Sequence, residues 1–236
     1  MIRKTLAPMG AALVCIGVML GGCASQPTLN TSADAKMSYD GLYPIEGSRT
    51  DQAWARSDLD LSGYTKIMLQ GAGIHYRPLK ASAGSRTALR RGETEFPLSD
   101  DQKERLRKML REEFLKELAK IERFTFVNQS GPDVLMIRGA LLDVVSRVPP
   151  EQIGRVDIYL DSVGQATLVI ELIDSESGTV LARAVDTRAA DRGGVAIESN
   201  RVTNWADARR LVQRWAVLLR QRLNDVSGTL GIGMEG

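Results

Sequence analysis

Histidine and cysteine are nearly missing from this chain, and each shortage removes a class of chemistry. His75 is the only histidine, so no Ser-His-Asp or Cys-His array and no multi-histidine metal site can be assembled. Its place on an expected strand favours a hydrogen-bonded structural role. The two cysteines are Cys15 and Cys23, so everything beyond Cys23 lacks a thiol nucleophile, a thiolate metal site and an internal disulfide. An excess of one charge is also lacking: 31 basic residues face 29 acidic ones, for a formal +2. Arg3 and Lys4 carry that surplus, and without residues 1–22 the chain is formally neutral, which removes the whole-chain argument for nucleic acid as a partner. No internal repeat of fixed period is present. Gly71-Ala72-Gly73 follows apolar residues, but the third glycine and immediate helix of a dinucleotide loop are missing. No metal and no cofactor are expected.

What is there begins at the N-terminus. Arg3 and Lys4 precede a mostly apolar run from Leu6 to Leu20, which closes on Leu20-Gly21-Gly22-Cys23. This positive-apolar-small order is that of a secretory signal over residues 1–22. A spanning helix would need about 20 well-packed apolar residues, and Pro8, Gly10, Gly17, Gly21 and Gly22 dilute the run. Leu20-Gly21-Gly22-Cys23 resembles the lipobox of bacterial lipoprotein signals: an aliphatic residue, two small ones, then cysteine. Cys15 follows the bulkier Leu13-Val14 and does not fit. The resemblance implies cleavage between Gly22 and Cys23, a diacylglycerol thioether on Cys23 and usually a third acyl chain on its amine. Two or more chains anchor stably, at about 0.8 kcal/mol per buried CH₂. In such lipoproteins Ala24, rather than Asp, after the cysteine implies the inner leaflet of the outer membrane, facing the periplasm.

Residues 23–38 are polar and read as a lipidated N-terminus and flexible tether, with a reach of roughly 20 Å. Residues 39–63 read as an extended arm. A single α+β domain is expected over residues 64–226, and residues 227–236 read as a flexible tail. A strand is expected from Tyr64 to Tyr76, then a polar loop over residues 78–97. Ser99 and Gln102 form a capping-box signature, with Asp100 and Asp101 against the helix dipole. The helix they open runs to about Glu122, with Leu106, Leu110, Phe114, Leu118 and Ile121 sharing a face. Strands follow at Phe124–Val127, Val134–Val148, Val163–Asp174 and Thr179–Thr187, the last two joined by Ser175-Glu176-Ser177-Gly178 with a positive φ suited to Gly178. A final helix spans about Asn204–Val226. Its apolar arc includes Trp205, Leu211, Val212, Trp215, Leu219 and Leu223, with Arg222 as the polar exception snorkelling near the helix end. The fold class is α+β: a mostly antiparallel sheet with two main helices packed on it, preceded by the flexible lipidated tether.

Candidate binding residues fall into two groups. Tyr39, Tyr43 and Trp54 concentrate aromatic surface in the arm, which suits a peptide or glycan groove as well as plain packing. Arg86, Arg90 and Arg91, with the polar face of the last helix (Arg209, Arg210, Gln213, Arg214, Arg220, Gln221), suit anionic head groups or an acidic partner as well as simple solvation. No catalytic residue is assigned. Two acidic pairs, Asp58 with Asp60 and Asp157 with Asp161, have the composition a glycosidase needs but no feature that would raise a pKa.

These residues carry a resemblance. Tyr39-Asp40-Gly41-Leu42, Trp54, Asp58-Leu59-Asp60 before Tyr64-Thr65-Lys66-Ile67, Tyr76-Arg77-Pro78 and the hairpin from Glu171 to Arg183 are similar to a bacterial lipoprotein family, domain of unknown function 3313. The resemblance brings no catalytic residues with it. The expected function is therefore a non-enzymatic, membrane-anchored binding or assembly module of the cell envelope, with an envelope protein or glycan as partner. The alternative is a carboxylate-dependent cell-wall hydrolase.

Overall fold

The computed structural model describes residues 26–79, 94–148, 159–160, 162–191, 197–198 and 201–228. In chain order the elements are β1 (Thr28–Leu29), β2 (Tyr43–Glu46), β3 (Gln52–Ala55), β4 (Lys66–Tyr76), α1 (Asp100–Leu118), β5 (Thr125–Phe126), β6 (Val134–Ser146), β7 (Tyr159–Leu160), β8 (Ser162–Asp174), β9 (Val180–Asp191), β10 (Ile197–Glu198) and α2 (Arg201–Gly228). Eight strands form one sheet in the order β1-β2-β3-β9-β8-β6-β4-β5, and β7 pairs with β10 separately. The fold is α+β, as the order of the expected elements, one helix among the strands and one after them, implied.

Most pairs are antiparallel, but β4 runs parallel to both β6 and β5. The reason is α1. A helix between two strands of one sheet returns the chain to the end it started from, so the strands must run the same way. The β8–β9 hairpin is antiparallel across its length. Its turn closes where Gly178 takes φ +72° and donates its N–H to the Asp174 carbonyl at 2.9 Å, a conformation glycine adopts without the Cβ penalty. The segments expected as tether and arm supply three strands. Trp54 and its neighbours extend the sheet beyond β9, and Thr28–Leu29 pair with Ile45 and Glu46 at its far margin.

Strand alternation and helix periodicity meet in one core. Ile67, Leu135, Ile137, Leu141, Leu168 and Ile170 from the sheet pack with Leu106, Met109 and Leu118 of α1 and with Leu211, Val212, Trp215 and Leu223 of α2. The α1 N-terminus has the full capping box: Ser99 Oγ accepts from Gln102 N–H at 3.3 Å and Gln102 Oε1 accepts from Ser99 N–H at 2.8 Å. The α1 face differs from expectation. Glu113 and Glu117 are buried along with Met109, because α1 packs against α2 as well as the sheet. Glu113 accepts from Gln213 at 2.9 Å and pairs with Arg209 at 3.4 Å, and Glu117 pairs with Arg220 at 3.2 Å. Part of the α2 polar face therefore lies against α1 instead of being free for a partner.

Candidate binding site

Residues directly opposite each other in a sheet share a face, and the next row points the other way. One row, Gln70–Arg138–Glu171–Arg183–Trp54, crosses five strands. It carries alternating charge. Arg138 Nη2 lies 2.7 Å from Glu171, whose other oxygen accepts from Arg183 Nε at 2.9 Å. Arg183 also donates to Asp40 at 2.5 and 3.0 Å and to the Tyr39 hydroxyl at 3.1 Å, with its guanidinium 5.0 Å from the Tyr39 ring centre. Burial pushes the Asp40 carboxyl up, but hydrogen bonds from Arg183 and Ser38 outweigh this and hold it below the ordinary 3.8. Arg183 thus fastens the Tyr39-Asp40 turn onto the sheet.

The neighbouring rows face the helices and carry small residues where sheets usually carry bulky ones. Leu172 is opposite Ala182, which is opposite Ala55, and Ile170 is opposite Ala184, which is opposite Ala53. Four alanines in two adjacent cross-strand pairs leave space that β-branched or aromatic residues would fill. The result is a cavity of about 400 Å³ between this part of the sheet and α2. Leu168, Ile170 and Leu172 line it from β8, the segments Ala53–Ala55 and Ala182–Ala184 from β3 and β9, and Leu218 and Leu219 from α2. Its border is polar: Ser48, Arg49, Thr50, Arg222 and Asp225. Gln26, Pro27, Thr28 and Leu29 close one side.

One buried carboxylate organises the border. Asp186 is 2% exposed and was not singled out by sequence, although an acid at an inward position of the alternating Ala182–Ala190 stretch was a readable signal. It accepts from Trp215 Nε1 at 2.7 Å, Arg188 Nε at 2.5 Å and Asp51 N–H at 3.3 Å. Asp51 in turn accepts from Thr187 N–H at 2.7 Å, and Arg188 donates to the Arg49 carbonyl at 3.2 Å. The loop carrying Ser48, Arg49 and Thr50 is thereby fixed to β9 and α2. A buried charge is tolerated only when satisfied in this manner.

The other residues singled out by sequence are dispersed. Tyr39 is 93% exposed, and its contact with Arg183 is its link to the sheet row. Tyr43 is half-buried opposite Ala55, whereas Trp54 is opposite Arg183, so Tyr43 and Trp54 belong to opposite faces. Arg222 borders the cavity and pairs with Asp225 at 3.4 Å. His75 is exposed on β4. Asp58 pairs with Arg56 at 3.2 Å, and Asp60 accepts from Ser62 N–H at 2.8 Å and from its hydroxyl. Gly22, Cys23, Arg86, Arg90, Arg91, Asp157 and Asp161 lie outside the described residues, as does the tail beyond Gly228. Among the described residues no cluster of three metal-ligating side chains is present, and no described helix is long and apolar enough to cross a membrane.

Residues 31–219 match the family model described as protein of unknown function (DUF3313). No curated protein matches in sequence. Among solved structures, the chain is similar to a protein of Xanthomonas campestris in the DUF330 family, with TM-score 0.40 and 9% identity over 72% of this chain and 93% of that one. It is also similar to the PelC dodecamer from Paraburkholderia phytofirmans, with TM-score 0.35 and 12% identity over 70% and 96%. The CT253 protein of Chlamydia trachomatis gives TM-score 0.34 and 10% identity over 69% and 96%.

Proposed function

We propose, for a chain that belongs to the DUF3313 family of proteins of unknown function, that it acts as a non-enzymatic binding or assembly module of the cell envelope. The cavity carries this reading. At about 400 Å³, with an apolar lining and a few polar groups at its border, it falls within the roughly 300–1,000 Å³ range of small-molecule sites. In this reading Cys23 bears the lipid, and the module faces the periplasm from the inner leaflet of the outer membrane, where an envelope protein or glycan meets it. Nucleic acid is not a partner.

The hydrolase alternative needs a carboxyl held protonated near neutral pH as a general acid. Asp60 is shifted the opposite way: hydrogen bonds from the Ser62 backbone and hydroxyl hold its carboxyl below the usual value. Among the described residues no observation favours that second reading.

Anchoring is tested by Cys23→Ser. The variant should lose metabolic lipid labelling, remain as uncleaved precursor and leave the outer-membrane fraction, while Cys15→Ser behaves as wild type. Normal labelling of the Cys23 variant overturns the anchor.

A further inference from the structure

We infer that the cavity beside α2 is the seat of one acyl chain carried by this protein's own Cys23. The inference rests on Cys23 being lipidated and deepens the proposed function: the ligand that the cavity takes is the protein's own lipid, and the envelope partner meets another part of the surface.

The first argument is shape and chemistry. The walls are mostly apolar, with Leu168, Ile170, Leu172, Leu218, Trp215 and the alanines of β3 and β9, and the one buried carboxylate among them, Asp186, is held by Trp215 and Arg188. At about 30 Å³ for a water-sized unit, which a methylene roughly matches, the space takes a chain of about a dozen carbons. A polar border of Ser48, Arg49 and Thr50 suits the amide or ester at the head of such a chain.

The second argument is the path of the polypeptide. Gln26, Pro27, Thr28 and Leu29 are themselves part of the cavity wall. They are held there by Thr28 and Leu29 pairing with β2 and by Asn30 N–H donating to the Pro44 carbonyl at 2.9 Å. Only Ala24 and Ser25 separate this fixed segment from Cys23. At about 3.3–3.6 Å per residue, the lipid-bearing residue stays within roughly 10 Å of Gln26. A chain attached this close meets the cavity as an intramolecular partner, at the raised effective concentration that a short tether gives.

The third argument is energetic. An acyl chain moving from bilayer to cavity exchanges one apolar medium for another, so the transfer is not opposed by the hydrophobic effect. The chains left in the membrane still anchor the protein, because two suffice. Seated in this way, the lipid holds the β1–β3 side of the sheet against the membrane and fixes the orientation of the module.

The test uses the intact protein in living cells fed a palmitate that bears a diazirine. After irradiation, mass spectrometry maps where the photoreactive chain has inserted. The expected product is the Cys23 peptide joined to peptides containing Leu168–Leu172, Ala182–Ala184 or Leu218–Leu219 of the same molecule. Ala184→Leu, which fills the space, should abolish that product, and the wild-type map stands by itself if the variant is unstable. Cavity peptides joined instead to phospholipid would make a membrane lipid the occupant and overturn the inference. So would a labelled Cys23 with no cavity product, which leaves the anchor intact. An unlabelled Cys23 removes both.

Discussion

Replacing Arg183 by methionine should destabilise the fold by about 2–4 kcal/mol, a magnitude that follows from what the guanidinium touches. The Arg183 side chain is 10% exposed, and those of Asp40 and Glu171 are 21% and 13% exposed, so solvent screens these pairs weakly. Methionine keeps the apolar stem but removes the hydrogen bonds to Asp40, Glu171 and Tyr39, and those to charged groups contribute about 1.5–3 kcal/mol each. The loss reaches only the lower part of the roughly 3–5 kcal/mol typical of a fully orphaned buried charge. The reason is that Glu171 keeps Arg138 and Asp40 keeps the Ser38 hydroxyl. For a domain of this size the melting temperature should drop by about 5–15 °C. Urea unfolding of wild type, Arg183→Met, Asp40→Asn and the double variant should give a coupling of about 1–3 kcal/mol. The pH dependence has a fixed sign. The native state holds the Asp40 carboxyl below its ordinary 3.8, so its contribution is present above that value and disappears as pH falls through the lower native one. Wild-type and Arg183→Met stabilities should therefore converge in acid. A loss under about 0.5 kcal/mol, or a coupling near zero, would refute the argument and class the row as a surface ion-pair array.

Three other outcomes follow from separate features. Trp215→Phe keeps the ring but removes the Nε1 donor to buried Asp186, and should cost about 1–3 kcal/mol in urea unfolding; an unchanged midpoint would mean that Arg188 and Asp51 suffice. Gly164→Ala places a Cβ 2.3 Å from the Val145 carbonyl oxygen, at the irregular pairing of β6 and β8. It should lower stability by about 1–3 kcal/mol through forced backbone displacement, and an equal melting temperature would contradict that close approach. The Tyr64 phenol is pushed up to about 12 by burial and by the Asp174 carboxylate to which it donates at 2.8 Å. Its share of stability is complete below pH 10 and lost as pH rises through its native value, so Tyr64→Phe should flatten the decline between pH 10 and 12. Parallel curves for the two proteins would rule this out.

The long elements were legible because their signals are local. Alternation along β8 from Ser162 to Ile170 and 3.6-residue spacing along α2 each bury one face, whatever the partner. The Ser99–Gln102 box marks the α1 start within four residues, and Gly178 marks the hairpin turn. Legibility failed where a partner supplies the order. β1, β2 and β3 have two to four residues each, too few to show a period, and hydrogen bonding to β9 and to one another makes them strands. Glu113 and Glu117 fall outside the apolar set expected for α1, and they are buried because α2 brings Arg209, Gln213 and Arg220 to them.

The sequence by itself determined the α+β class and the positions of the long strands and both helices, since composition and periodicity act along the chain, and its residue patterns carried the resemblance to the family that the family model matches. It also held the alanines at positions 53, 55, 182 and 184, but as unremarkable small residues far apart in the chain. Only the pairing of β3 with β9 and β9 with β8, under a helix that arrives last, set those alanines side by side and left a cavity between them. That cavity exists because of the registers between strands, and registers are properties of the assembled sheet.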